Sequence, residues 1–108
     1  MENISFEDFK KIDLRVVKII AVEKIEDSQK LLKIKVSVGE EERTVVSGVA
    51  EYYSSEDLIG KEVIMILNLA PKIIFGVESH GMLLFSKKED KPIVLKPEEE
   101  VLPGEIIS

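Results

Sequence analysis

Few side chains in this sequence could do chemistry, and their spacing limits what that chemistry is. His80 is the single histidine, set in Glu78-Ser79-His80-Gly81, and there is no cysteine. A nucleophile–base–orienter set needs three groups converging on one point, and no such spacing surrounds His80. It therefore reads as a polar residue at a surface corner rather than a general base. No Gly-rich phosphate loop is present, and the carboxylates show no metal-ligand spacing. The expectation is a protein that is not an enzyme, has no metal site and needs no cofactor.

The alternative chemistry is binding by cations and small polar groups. Leu32-Lys33-Ile34-Lys35-Val36-Ser37-Val38 alternates with period two, which predicts a half-buried strand with Lys33, Lys35 and Ser37 outward. Gly39 and the Glu40-Glu41-Glu42 run turn the chain into Arg43-Thr44-Val45-Val46-Ser47, its hairpin partner, so Arg43 is expected on the same face. Lysines on an exposed strand also serve merely to keep it soluble and unpaired. Aromatic platforms are scarce, at four Phe, two Tyr and no Trp, which argues against base-by-base reading of a single strand.

Elements that would position these groups can be traced along the chain. Ser5 caps a short helix whose Glu7 and Asp8 suit its dipole, with Phe6 and Phe9 on one side. Ile12 to Val22 predicts a long strand, in which strict alternation places Lys18 among Leu14, Val16 and Ile20 unless a bulge intervenes. Ser54 to Gly60 predicts a second short helix. Val63 to Leu67 is an apolar strand ended by Asn68 and Pro71. Ile73-Ile74-Phe75 reads as a buried turn, followed by the polar corner 78–81 and a strand from Met82. Lys87 to Lys91 is a charged turn, Pro92 to Leu95 a brief strand, and Val101 to Ile107 a closing tail. Short strands without a βαβ rhythm point to an all-β closed barrel formed by residues 1–108 as a single domain.

The 108 residues carry a net charge of −6, which counts against a nucleic-acid binder unless the charge is unevenly spread. It is uneven. Residues 61–96 hold six basic and four acidic side chains, whereas 97–108 hold four Glu and no cation. A local basic face can survive such a total. No apolar segment approaches membrane-spanning length, and the N-terminus shows no signal-peptide pattern, so a cytoplasmic location is expected.

Asn68-Leu69-x-Pro71 and Ser79-x-Gly81-Met82-Leu83 resemble the tRNA-binding OB-fold domain of methionyl-tRNA synthetases, also known as free-standing dimers and as a synthetase beta subunit. Asp13-Leu14-Arg15-Val16, Val46-Ser47-Gly48-Val49-Ala50 and Val101-x-Pro103-Gly104 follow in the order of that family. The resemblance implies a five-stranded OB-fold barrel with a helix between strands three and four. It implies docking on folded tRNA through shape and backbone. Asn68, Lys72, Ser79 and Met82 match motif positions expected at the RNA-facing mouth. With Lys33, Lys35, Arg43 and His80 they form the expected RNA-binding set. The family's second cation after the Pro is replaced here by Ile73, which weakens the expected phosphate contact.

A homodimer is also implied, with Phe6, Phe9, Ile106 and Ile107 between copies, or else capping the barrel of one copy. The expected role is a synthetase beta subunit, partnered with a methionyl-tRNA synthetase catalytic chain, or a free-standing homologue, in either case adding tRNA contacts. The rivals are a chaperone-like dimer that binds unfolded polypeptide and a protein-only assembly module.

Overall fold

The computed structural model describes residues 1–108. Alternating apolar residues build a five-stranded antiparallel barrel that is nearly closed. Its strands are β1 (Leu14–Lys24), β2 (Leu32–Ser37), β3 (Glu42–Ser47), β4 (Glu62–Ile66) and β7 (Met82–Leu83), in the spatial order β3-β2-β1-β4-β7. Two hairpins are appended: β5 (Lys72–Ile74) with β6 (Val77–Ser79), and β8 (Phe85–Lys88) with β9 (Lys91–Val94). Helix α1 (Phe6–Lys10) precedes the barrel, and α2 (Ser55–Leu58) lies between β3 and β4. This is the expected OB-type architecture. Ile34, Val36, Val45, Val63, Met65 and Leu83 fill its core, with Leu58 of α2 over them.

Strand β1 does two jobs along its length. Its first half pairs with β4 and its second half with β2, the two ladders meeting at Lys18. The ladder with β2 shifts between Ile19 and Ala21, a bulge beyond Lys18 that leaves Lys18 in alternation with Leu14 and Val16. The core face is that of Val17 and Ile19, not of Leu14 and Val16. Val16 is buried instead by the C-terminal tail: its N–H donates to the Glu105 carbonyl at 2.9 Å, and the Gly104 N–H donates to the Val16 carbonyl at 2.7 Å. Lys18 thereby faces outward between Ser37 and Glu62. The strand begins two residues later than expected, because Ile12 bends out of α1 and the Asp13 N–H is taken by the Asn68 side chain instead of a ladder carbonyl.

The tail needs Gly104. Its φ of +94° and a Cβ that would lie 2.3 Å from the Val38 carbonyl oxygen exclude a side chain there. Arg15 holds the tail from the other side, donating from Nη1 to the Gly104 carbonyl at 3.0 Å while its Nε donates to Asp13 at 2.7 Å.

Both helices are short and rely on caps. Ser5 Oγ accepts the Asp8 N–H. Ser54 and Asp57 form a reciprocal capping box, at 3.2 Å and 2.9 Å. The Ser54 backbone N–H, then its hydroxyl and nearby Lys61, hold the Asp57 carboxyl below its ordinary value of 3.8, against a small desolvation effect.

The run Ile73-Ile74-Phe75 is not buried. It forms one side of the β5–β6 hairpin, where Ile73 is 71% and Phe75 59% exposed. An apolar run alone does not distinguish a strand in the core from a projecting one. Phe75 and Gly76, the two residues of its turn, both have positive φ, +49° and +76°. That is the type I′ pattern, which carries a right-twisted hairpin through two residues.

Candidate nucleic-acid interface

Strands β2 and β3 set the floor of the site. Directly paired residues point to the same side of an antiparallel sheet. Lys33 opposes Val46, Lys35 opposes Thr44 and Ser37 opposes Glu42, all on the outer face. Arg43 does not share it: its partner is the core residue Val36, so its side chain starts inward. The guanidinium turns over the barrel end, where Nη1 donates to the Leu67 carbonyl at 2.6 Å and Nε to Glu41 at 3.1 Å. Two adjacent valines, Val45 and Val46, leave the alternation of β3 ambiguous in the sequence, and only the register resolves it.

The outer face continues past the free edge of β3 because the polar corner closes the barrel there. Ser79 is buried, and its Oγ accepts the Val46 N–H at 3.0 Å. The His80 N–H donates to the Thr44 carbonyl at 2.8 Å. Ser79 in turn pairs with Lys72 across β5–β6. A lateral row therefore runs Glu23, Lys33, Val46 over β1, β2 and β3, and the Ser79 side chain docks the separate β5–β6 hairpin, with Lys72 opposite Ser79, against the β3 edge where that row ends. A second row, Ala21, Lys35, Thr44, His80, lies beside it. Lys33 and Lys35 thus share the outer face of β2, Ser79 and His80 join its hairpin partner at the β3 edge, and Lys72 stands beyond Ser79 on the docked hairpin.

The cations on the floor are not free. Lys33 Nζ lies 3.6 Å from Glu23 and Lys35 Nζ 3.9 Å from Glu42. Lys72 takes part in none of the chain's ion pairs. The His80 ring is paired with the Glu78 carboxylate. Glu23 and Glu42 escaped the sequence reading, since cross-strand register is what makes them neighbours of the lysines.

Asn68 lies apart from the rows. Its Oδ1 accepts the Asp13 N–H at 2.8 Å, and its Nδ2 donates to the Lys11 carbonyl at 2.5 Å, tying the end of β4 to the exit from α1. Met82 follows His80 and Gly81 into β7, where its exposed side chain pairs with Ile66. Gly81 allows this corner: a Cβ there would lie 2.5 Å from the Ile66 carbonyl oxygen. On another side, Phe6, Phe9, Ile12, Leu14, Ile106 and Ile107 line an apolar groove of about 460 Å³.

Residues 14–106 match the family model described as "Putative tRNA binding domain". The chain is 47% identical to the methionine–tRNA ligase of Archaeoglobus fulgidus over 103 residues, 95% of this chain and 16% of that protein. It thus spans about a sixth of the length of that relative. Among solved structures, a MetRS-related protein from Pyrococcus horikoshii superposes with a TM-score of 0.94 at 39% identity, covering 100% of both chains. The chaperone CsaA of Bacillus anthracis superposes with a TM-score of 0.90 at 26% identity, covering 99% of this chain and 100% of that one.

Proposed function

The chain belongs to the tRNA-binding domain family, and from that membership we propose that it binds folded tRNA through the outer face of β2 and β3 and the β5–β6 hairpin. The observation that carries this reading is the Ser79–Val46 bond, which docks the β5–β6 hairpin and its unpaired Lys72 at the edge of the sheet whose outer face holds Lys33 and Lys35. Lys33, Lys35 and Lys72 contact phosphates, His80 adds a polar group beside them, and Met82 offers an apolar contact to ribose or base. Asn68, Ser79 and Arg43 act from behind, because their polar atoms are already bonded to backbone. Backbone contacts of this kind recognise shape more than sequence.

The domain adds affinity and performs no chemistry of its own. It serves as a beta subunit of methionyl-tRNA synthetase or as its free-standing homologue in the cytoplasm. It is a homodimer through the groove of Phe6, Phe9, Ile106 and Ile107, and pairing places two RNA-binding faces on one particle. No helix of the chain is long and apolar enough to cross a membrane.

Titration with bulk tRNA at two salt concentrations tests the proposal. Three or four phosphate contacts give a slope of log K against log salt of about −2 to −4. Absence of binding at low salt overturns it. The likeness to CsaA and the exposed apolar hairpin favour a second reading, binding of unfolded polypeptide. Suppression of client aggregation by a protein that ignores tRNA selects that reading instead.

A further inference from the structure

We propose that the tip of the β5–β6 hairpin is a base-stacking site, in which the Phe75 ring packs on an unpaired nucleobase of the bound RNA while Lys72 meets a nearby phosphate. The inference rests on the RNA-binding reading above and adds what part of the RNA is touched.

Phe75 occupies the first central position of a type I′ turn, at φ +49°. Asn, Asp and Gly belong there, because the left-handed region crowds a Cβ and bulky residues seldom enter it. The ring brings no compensating burial, since 59% of the residue is exposed and it joins no core cluster. Local structure therefore gives no reason for an aromatic residue at this tip. A ring held out into solvent against the preference of its own turn is fitted for a contact outside the chain.

The surroundings indicate which kind of contact. Ile73, on the same hairpin, is also exposed and adds an apolar flank on the face opposite Lys72. Lys72 stands about 10 Å down the strand from the turn and makes no ion pair. Through Ser79 and Val46 the hairpin is continuous with the row that holds Lys33. An exposed ring at the tip with an unpaired lysine down the same hairpin is what a splayed-out base on a phosphodiester backbone requires. A protein client would need the apolar flank but would gain nothing from the lysine row.

The chain has no tryptophan, so Phe75→Trp places a single indole at the tip. Its emission is expected to be quenched on titration with bulk tRNA, but little changed by a fully paired RNA duplex that offers phosphates without unpaired bases. Phe75→Asn installs the residue the turn prefers. It is expected to raise the melting temperature yet weaken tRNA binding by roughly 5- to 100-fold, with the salt dependence unchanged because no counterion is released. Equal affinity of Phe75→Asn and the unmodified chain, or indole emission indifferent to bound tRNA, overturns the stacking site while leaving the function standing. Quenching by denatured protein and not by tRNA overturns it as well. Failure of the unmodified chain to bind tRNA removes the function itself.

Discussion

Ser79 closes the barrel with a side chain where a ladder carbonyl would ordinarily serve: its Oγ, buried at the polar corner, accepts the Val46 N–H at 3.0 Å. The bond joins β3 to the hairpin and so brings the strand of Lys72 to the edge of the sheet that holds Lys33. That hydroxyl thus serves the fold and the placement of the hairpin together, beside the His80 N–H bond to the Thr44 carbonyl.

Removing it should therefore show first in stability. Ser79→Ala leaves the Val46 N–H facing a methyl group, and an unsatisfied buried donor costs about 1 to 3 kcal/mol. The expected result is a lower denaturation midpoint with an unchanged denaturant slope, and faster amide exchange at Val46 and at the His80 N–H next to it. A direct RNA contact would instead lower tRNA affinity without moving either measurement.

The ion pairs on the floor make an opposite kind of prediction. Glu23 and Glu42 hold Lys33 and Lys35 at 3.6 and 3.9 Å, on exposed side chains where such pairs add little to stability. Neutralising both, as Glu23→Gln with Glu42→Gln, should change the unfolding free energy by less than about 1 kcal/mol. It should also strengthen tRNA binding several-fold and steepen the salt slope, because two lysines become free to meet phosphates. Unchanged binding would place the RNA elsewhere on the surface.

Much of this arrangement could be read in advance where local rules decide it. The period-two run Leu32–Val38 sets the outer face of β2, and Ser5 and Ser54 mark both helix starts. What escaped was set by partners far along the chain. Asn68 in sequence is a turn residue, and its bonds to Lys11 and Asp13 cross more than fifty positions. Arg43 faces inward because its strand registers on Val36, a fact that Val45-Val46 conceals. Ile73 and Phe75 carry the hydrophobicity of a core run, yet the I′ turn lifts them off the barrel.

Asp57 gives the acid response a particular origin. Its folded-state pKa is depressed, chiefly by the Ser54 backbone N–H, so its contribution is fully present above the unfolded value near 3.8. The contribution is lost as pH falls through the lower folded value. Asp57→Asn should lower the melting temperature at neutral pH and flatten its fall below about pH 4, as followed by thermal scans across that range. Parallel curves for the variant and the unmodified chain would assign the acid response to other carboxylates.

The groove at the chain ends predicts an assembly. Helix α1 has five residues and none of them is buried, so it cannot persist by its own propensity. Within the chain its exit is fixed by Asn68, which bonds the Lys11 carbonyl and the Asp13 N–H. Phe6 and Ile106 stand about 70% exposed at the groove, an apolar surface that a second copy would cover. Sedimentation should show a dimer at micromolar concentration. Phe6→Glu with Ile106→Glu should yield a folded monomer, since neither side chain contributes to the core. Asn68→Ala should weaken dimerisation without touching the groove, by releasing the helix that forms one of its walls. Both variants should also lose avidity for tRNA in proportion to the monomer they produce, because two linked faces bind more tightly than one. A monomeric unmodified chain, or a double-Glu variant that remains dimeric, would mean that the groove packs against something other than its own copy.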